Sequence, residues 1–222
     1  ELSNINLQLA EARLTALQAQ MNPHFVFNAL NSIKRMILDG DNDKASRYLS
    51  KFAQMIRMTL NHSKETFVTL AGNLEYIRVY LGMEQLRFNE SFKWNINVAH
   101  DIDVDDTKIP SLMIQPLVEN AIWHGLLHSE RDKVLAVSFQ KKDETIICII
   151  EDNGIGIRRS EKMKEETKTN HRPVGLDNLR NRIKILNEKY GADCSFVISD
   201  LSEHESSRVG TRATLQFKNI TT

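Results

Sequence analysis

The run TIICIIEDNGIGI, residues 145 to 157, ends an apolar stretch on a carboxylate, Asp152, followed by Gly154 and Gly156. Two residues without a Cβ permit a tight turn and a close backbone approach to a ligand. A carboxylate at a strand end can accept a hydrogen from an exocyclic amine. The pattern has no third glycine of a dinucleotide fingerprint and no Gly-Lys-Ser/Thr ending of a Walker loop. A second run, PLVENAIWHG at 116 to 125, interrupts apolar residues with Glu119, Asn120 and His124. Asn120 and His124 are four apart and share a helix face. An asparagine carbonyl oxygen suits Mg²⁺ held beside phosphate oxygens, and His124 can donate to a phosphate. Glu119 can orient or polarise a neighbouring group. VGLDNLRNRI, 174 to 183, opens a helix on Gly175, where free backbone N–H groups favour an anion. Arg180 and Arg182 in it are either solvated or add a mild phosphate attraction. RVGTRATL, 208 to 215, places Gly210 and Thr211 ahead of a strand, with the Thr211 hydroxyl available for a hydrogen bond near a base.

These residues need elements to hold them. Residues 1 to about 90 have helical periodicity. Leu7, Leu14 and Met21 recur every seven residues, as at the end of a coiled coil. Val26, Leu30, Ile33 and Ile37 make the next stripe, and DGDND at 39 to 43 reads as a turn. A helix from Lys44 to Leu60 is expected to turn Leu49, Phe52, Ala53, Ile56 and Leu60 inward. Another runs from Leu70 to Arg87 through Leu74, Ile77, Leu81 and Leu86. Short connections favour an antiparallel hairpin. The second region alternates strands and helices: strand 92 to 98, helix Ser111 to Gly125, strands 133 to 140 and 145 to 152 joined by KKDE, helix Val174 to Tyr190, and two closing strands, CSFVISD and TRATLQFK. Helices beside a mostly antiparallel sheet make an α+β sandwich. The domains are therefore 1 to 90 and 91 to 222. The charged segment between Ile157 and Pro173 reads as a mobile, lid-like loop.

Composition narrows the partners. Lys plus Arg and Asp plus Glu are both 29, so the balanced charge gives no support to nucleic-acid binding. Cys148 and Cys194 lack metal-ligand or disulfide-framework spacing and read as core residues in a reducing, cytoplasmic setting. No apolar run reaches the ~20 residues needed to span a bilayer. The start at Glu1 suggests a fragment whose membrane anchor, if any, lies upstream.

Taken together, the Asn-bearing helix, Asp-x-Gly-x-Gly, the Gly-Leu helix start and the Gly-Thr strand start resemble the ATP-binding domain shared by histidine kinases, Hsp90-like chaperones, MutL-like repair proteins and type II topoisomerases. LQAQMNPHFVFNALNSI, 17 to 33, followed by PSLMIQPLVENAIWHG, 110 to 125, is similar to the sensor histidine kinase family that includes LytS and YehU. The resemblance implies an N-terminal helical hairpin that dimerises, followed by the ATP-binding sandwich. It implies ATP and Mg²⁺ as cofactors, a homodimer, and a response-regulator receiver domain as the partner that takes the phosphoryl group on an aspartate. His24 matches the phosphoacceptor and Asn28 the asparagine one turn later. Asn120 matches the Mg²⁺ ligand, Asp152 the adenine-recognising aspartate, and Gly154, Gly156, Gly175, Gly210 and Thr211 the surrounding boxes. Glu119 is the candidate general base or orienter. Arg87 stands where the family often has arginine. Phe25 replaces the acidic residue that follows the histidine in many other kinases. His171 and Pro173 replace glycines, and Trp123 a basic residue. Two alternatives stay open: an ATP-binding scaffold without autokinase activity, and a non-kinase ATPase of the same superfamily. Asn22-Pro23 reads as a helix restart or kink that leaves His24, Asn28 and Arg35 on one face. At pH 7 an ordinary histidine is largely neutral, with a nitrogen lone pair available.

Overall fold

The structure is a computed structural model, and it describes residues 23–89, 91–157, 159–160, 162, 174–203 and 208–218. The chain divides into two compact units. One contains the described residues up to Thr66 together with Leu74–Asn89; the other contains Phe67–Asn73 and the described residues beyond position 90. The coiled-coil stripe at 7, 14 and 21 lies outside the described residues, and so does the lid-like segment except for positions 157, 159, 160 and 162.

The helical unit is built from α1 (Pro23–Leu38), α2 (Asn42–His62) and most of α3 (Leu70–Arg87). Pro23 sits at the first position of α1, where a missing N–H costs no helical hydrogen bond. The turn between α1 and α2 uses Gly40 at φ 80°, and the Asp41 carboxylate caps α2 by accepting from the Lys44 N–H at 3.2 Å. The inward stripes differ from those expected. Ala29 and Met36 are buried on α1, and Ala45, Tyr48, Met55 and Thr59 on α2. Leu30 is 50%, Ile37 54% and Leu49 50% exposed, and Ala53 also faces outward. Both helices carry apolar residues on two faces, so periodicity alone cannot choose between them. α3 is buried almost all round, through Leu74, Tyr76, Ile77, Val79, Tyr80, Leu81, Met83 and Leu86. Tyr76 is among these buried residues, and its hydroxyl lies 3.1 Å from Thr59 Oγ1.

The α/β unit holds a five-stranded sheet. Its strands are β2 (Phe92–Val98), β4 (Lys133–Lys142), β5 (Thr145–Asp152), β6 (Ser195–Asp200) and β7 (Thr211–Lys218), in the order β2-β4-β5-β7-β6. The β2–β4 pair is parallel and the others are antiparallel. Leu135, Val137, Phe139, Ile146, Cys148, Ile150, Ala213, Leu215 and Phe217 alternate along their strands and are all buried, which gives one face of the sheet to the core. Two short strands not expected from sequence, β1 (Phe67–Thr69) and β3 (Lys108–Pro110), pair antiparallel. The helices are α4 (Gln115–Asn120), extended by a wider π-helical turn over Ala121–Leu126, and α5 (Val174–Tyr190). α4 begins later than the expected Ser111, because Leu112 takes the left-handed conformation at φ 55° and Pro116 belongs in a first turn. Cys148 lies in β5 and Cys194 just precedes β6; both are buried thiols. Among the described residues, no helix is long and apolar enough to cross a membrane.

Candidate functional site

The site grows from the end of the sheet. Antiparallel register places Thr211 opposite Asp152 on one side and opposite Asp200 on the other. Asp152 is 3% exposed. Its Oδ1 accepts the Gly154 N–H at 2.9 Å, and Thr211 donates both its backbone N–H and its hydroxyl. Burial pushes the Asp152 pKa up to about 7; the Gly154 and Thr211 bonds pull it down, and the charge of Asp200 adds to the rise. The side chain is a desolvated acceptor, held by donors that favour its charged form.

Glycines surround this carboxylate because nothing larger fits. A Cβ on Gly125 would stand 2.4 Å from Asp152 Oδ1, and one on Gly154 2.2 Å from the Gly125 carbonyl carbon. At Gly210, φ is 138° and a Cβ would meet the Asp152 carbonyl oxygen at 1.9 Å. The Ile155 N–H donates to the Gly125 carbonyl at 3.3 Å. The run 116 to 125 and the Asp-x-Gly-x-Gly run therefore touch, with Gly125 as the hinge between them. Asn153 holds the turn from outside: its Oδ1 accepts the Val134 N–H at 2.7 Å and its Nδ2 donates to the Asp132 carbonyl at 2.6 Å. Gly156, at φ 79°, lies against the buried Asp200 carboxylate, which accepts the Ile157 N–H at 3.1 Å and the Ser202 hydroxyl at 3.1 Å. Across the strands, Glu151 receives Arg212 Nε at 2.6 Å and Arg208 at 3.3 Å.

The polar groups of α4 flank this turn. Asn120 is partly exposed and makes no side-chain cap at the π turn. His124 is partly exposed one turn on. Glu119 accepts Gln115 Nε2 at 2.6 Å, while burial pushes its pKa up to about 7. No group of three or more His, Cys, Asp or Glu side chains among the described residues is arranged to hold a metal. Mg²⁺ characteristically takes one or two protein oxygens plus substrate phosphates and water, and the lone Asn120 carbonyl suits that mode. Gly175 opens α5 beside Pro116, with 3.8 Å from its Cβ direction to the proline ring. Arg180 is occupied by Asp177 at 3.1 Å and lies over the Phe196 ring, which favours the solvated reading for it.

Asp152, Gly154, Gly210 and Thr211 thus converge, and Gly125 ties them to the helix of Glu119, Asn120 and His124. His24 belongs to the helical unit, in the first turn of α1, and its side chain lies outside the described residues, as do His171 and Pro173. Sequence reasoning did not single out Asp200 or Gly125. Asp200 gave no local signal, since its partners are remote in the chain; Gly125 directly follows His124 and was the available clue.

Comparison with known proteins bears on the whole chain. Residues 12–92 match the family model described as Histidine kinase. Sensor protein LytS of Staphylococcus epidermidis is 36% identical over 160 residues, 71% of this chain and 27% of that protein. Sensor histidine kinase YesM of Bacillus subtilis is 32% identical over 212 residues, 94% of this chain and 34% of its own length. The chain is homologous to the LytS-type sensor histidine kinases. Sensor histidine kinase BtsS of Escherichia coli is likewise 32% identical, over 94% of this chain and 34% of its own. The chain thus spans about a third of the length of the curated relatives it matches. Among solved structures, the mycobacterial sensor histidine kinase MprB aligns with 70% of this chain and 98% of its own at 15% identity, with a TM-score of 0.46. The histidine-kinase match takes in all three helices of the helical unit, and the relatives matched over 94% of the chain extend the likeness through the α/β unit.

Proposed function

We propose that this chain is an ATP-dependent protein histidine autokinase that phosphorylates its own His24 and passes the phosphoryl group to an aspartate of a response regulator. The observation that carries the reading is the Asp152 carboxylate: buried, fixed by Gly154 and Thr211, and enclosed by Gly125 and Gly210, where a Cβ would collide with its side chain or its backbone, while one on Gly154 would collide with Gly125. A fixed, desolvated acceptor is what selective recognition of an exocyclic amine requires, because a ligand lacking that donor would leave the acceptor capacity not used by Gly154 and Thr211 unsatisfied.

The chain's own residues divide the work. Asp152 and Thr211 receive the adenine edge. Asn120 is the protein ligand for Mg²⁺, whose contribution when bound is to neutralise phosphate charge. His124 and the N–H groups at Gly175 face phosphate oxygens, and Gly156 shapes the turn beyond the base. The neutral imidazole of His24 attacks the γ-phosphorus with its ring-nitrogen lone pair. The bond from that phosphorus to the β–γ bridging oxygen breaks, and ADP leaves. The proton on the other ring nitrogen must then depart; Glu119, with a pKa near the working pH, is the candidate acceptor. Positioning and charge neutralisation supply most of the acceleration in such transfers.

The helical unit supports a homodimer. Phe27, Leu30, Ile37 and Leu38 on α1 and Leu49 on α2 are exposed apolar side chains, a pattern suited to a second copy of the same hairpin. The reading is tested by incubation with Mg²⁺ and γ-labelled ATP. Acid-labile, alkali-stable label is expected in the wild type and absent in His24→Gln and Asn120→Ala. Bound nucleotide without label in the wild type would favour the scaffold alternative. Steady phosphate release unchanged by His24→Gln would favour the ATPase alternative.

A further inference from the structure

The first turn of α1 carries the reacting histidine of the proposed reading, so what holds that turn matters. Its leading N–H groups have no intrahelical acceptors, and Pro23 brings no N–H at all. No acidic side chain stands in that turn. Among the described side chains of that turn, the residue after His24 packs on both other helices of the helical unit. The Phe25 ring centroid lies 6.1 Å from Phe52 of α2, with the ring planes inclined at 34°, and 6.2 Å from Tyr80 of α3, inclined at 45°. Both separations fall within the range of favourable aromatic pairs. Tyr80 is itself 1% exposed, so this wall of the socket belongs to the packed interior of the helical unit.

The same stripe continues down α1. Ala29 and Met36 are buried, and the half-buried Ser32 donates its hydroxyl back to the Asn28 carbonyl of the same helix at 2.8 Å. Positions 25, 29, 32 and 36 therefore form the inward face. At 3.6 residues per turn, His24 lies about 100° around the helix from Phe25. The azimuth of the histidine is consequently set by how firmly Phe25 is seated. If the ring left its socket, the first turn would be free to rotate or fray.

We infer that Phe25 is a positioning residue: packed between Phe52 and Tyr80, it fixes the direction in which His24 is presented. This rests on the autokinase reading. It assigns the neighbour of the reacting histidine a steric task where a carboxylate neighbour would have an electrostatic one.

The test measures phosphohistidine formation at saturating ATP, nucleotide affinity, helical content and melting for the wild type, Phe25→Ala, Phe25→Tyr, Phe52→Ala and the Phe25→Ala/Phe52→Ala double variant. A second readout is the NMR linewidth and shift of the ¹⁵N-labelled His24 ring. Expected are a loss of rate of at least about tenfold in Phe25→Ala, nucleotide affinity within about twofold, and rescue to within about threefold by Phe25→Tyr, which keeps the ring. Phe52→Ala should slow transfer in the same sense, and the double variant should be no slower than Phe25→Ala, because both remove one socket. The His24 ring signals should sharpen toward those of a free histidine in Phe25→Ala and stay as in the wild type in Phe25→Tyr. A labelled wild type with Phe25→Ala at full rate, with rate falling only in proportion to lost helix, or with unchanged ring signals overturns the positioning role alone. A wild type that never acquires label overturns the autokinase reading and this inference with it.

Discussion

Asp152 should make adenine recognition fall with acid in a manner that can be calculated. Its pKa is pushed up to about 7 without ligand. A ligand amine that donates to the carboxylate favours the charged form, since charge-assisted bonds are about twice as strong as neutral ones. Binding must then expel the proton from whatever fraction carries it. With a free-state pKa of about 7, the apparent Kd scales as one plus ten to the power of pKa minus pH, so it should weaken about tenfold, or roughly 1.4 kcal/mol, between pH 8 and pH 6. At pH 7 binding should release about half a proton. The ligand should be adenosine, because the nucleotide phosphates titrate in the same range. Calorimetry in two buffers of different ionisation enthalpy reads the proton directly. Glu119→Gln serves as the control, because Glu119 is also raised to about 7, and its loss should leave the adenosine curve unchanged. Asp152→Asn should cost at least about tenfold in affinity at pH 8, by loss of a hydrogen bond to a charged group. A Kd that is flat from pH 8 to pH 6 with no proton released would refute the reasoning. The same shift has a sign for folding: a carboxylate raised from 3.8 to about 7 binds protons more tightly when folded. Its contribution therefore declines as pH rises through that window, by about 4 kcal/mol in total.

Three further outcomes follow from the geometry. Gly154→Ala drives a Cβ into the Gly125 carbonyl and should cost about 1–3 kcal/mol in urea unfolding and remove nucleotide binding measured by fluorescence. Glu119→Gln should lower phosphohistidine formation about 10²–10⁴-fold while nucleotide affinity stays within about twofold. Arg212→Met removes the closer partner of Glu151; the pair is partly exposed, so the loss should be only ~1 kcal/mol in urea at pH 7. Burial alone would raise the Glu151 pKa, but Arg212 and Arg208 outweigh it and hold it below the ordinary value, so that contribution should vanish as pH falls through the folded pKa.

Much of this arrangement was legible because its signals are local. Strands 92–98 and 145–152 and the helix Val174–Tyr190 match the structure at both ends, and Asp152 stands at the end of its strand as the sequence placed it. Asp152 and Thr211 were each visible, but that they bond one another is a matter of register between remote strands. Asp200 was invisible for the same reason. The three-residue strands β1 and β3 are too short to show a period. The inward faces of α1 and α2 were only partly legible: Leu30, Ile37, Leu49 and Ala53 face outward, because an exposed apolar stripe has the same period as one that meets its own chain. Leu112 was placed in a helix because nothing in its type announces a positive φ.

The claim that His24 is the acceptor is tested most directly by locating the phosphate. The protein is incubated with Mg²⁺ and ATP, digested at neutral to alkaline pH, and the peptide containing Asn22 to Arg35 is fragmented by mass spectrometry. One added phosphoryl group on His24, lost on brief acid treatment and absent when Asn120→Ala is used, is the expected result. Phosphate on any other residue, or none on a chain that binds and consumes ATP, would contradict the account.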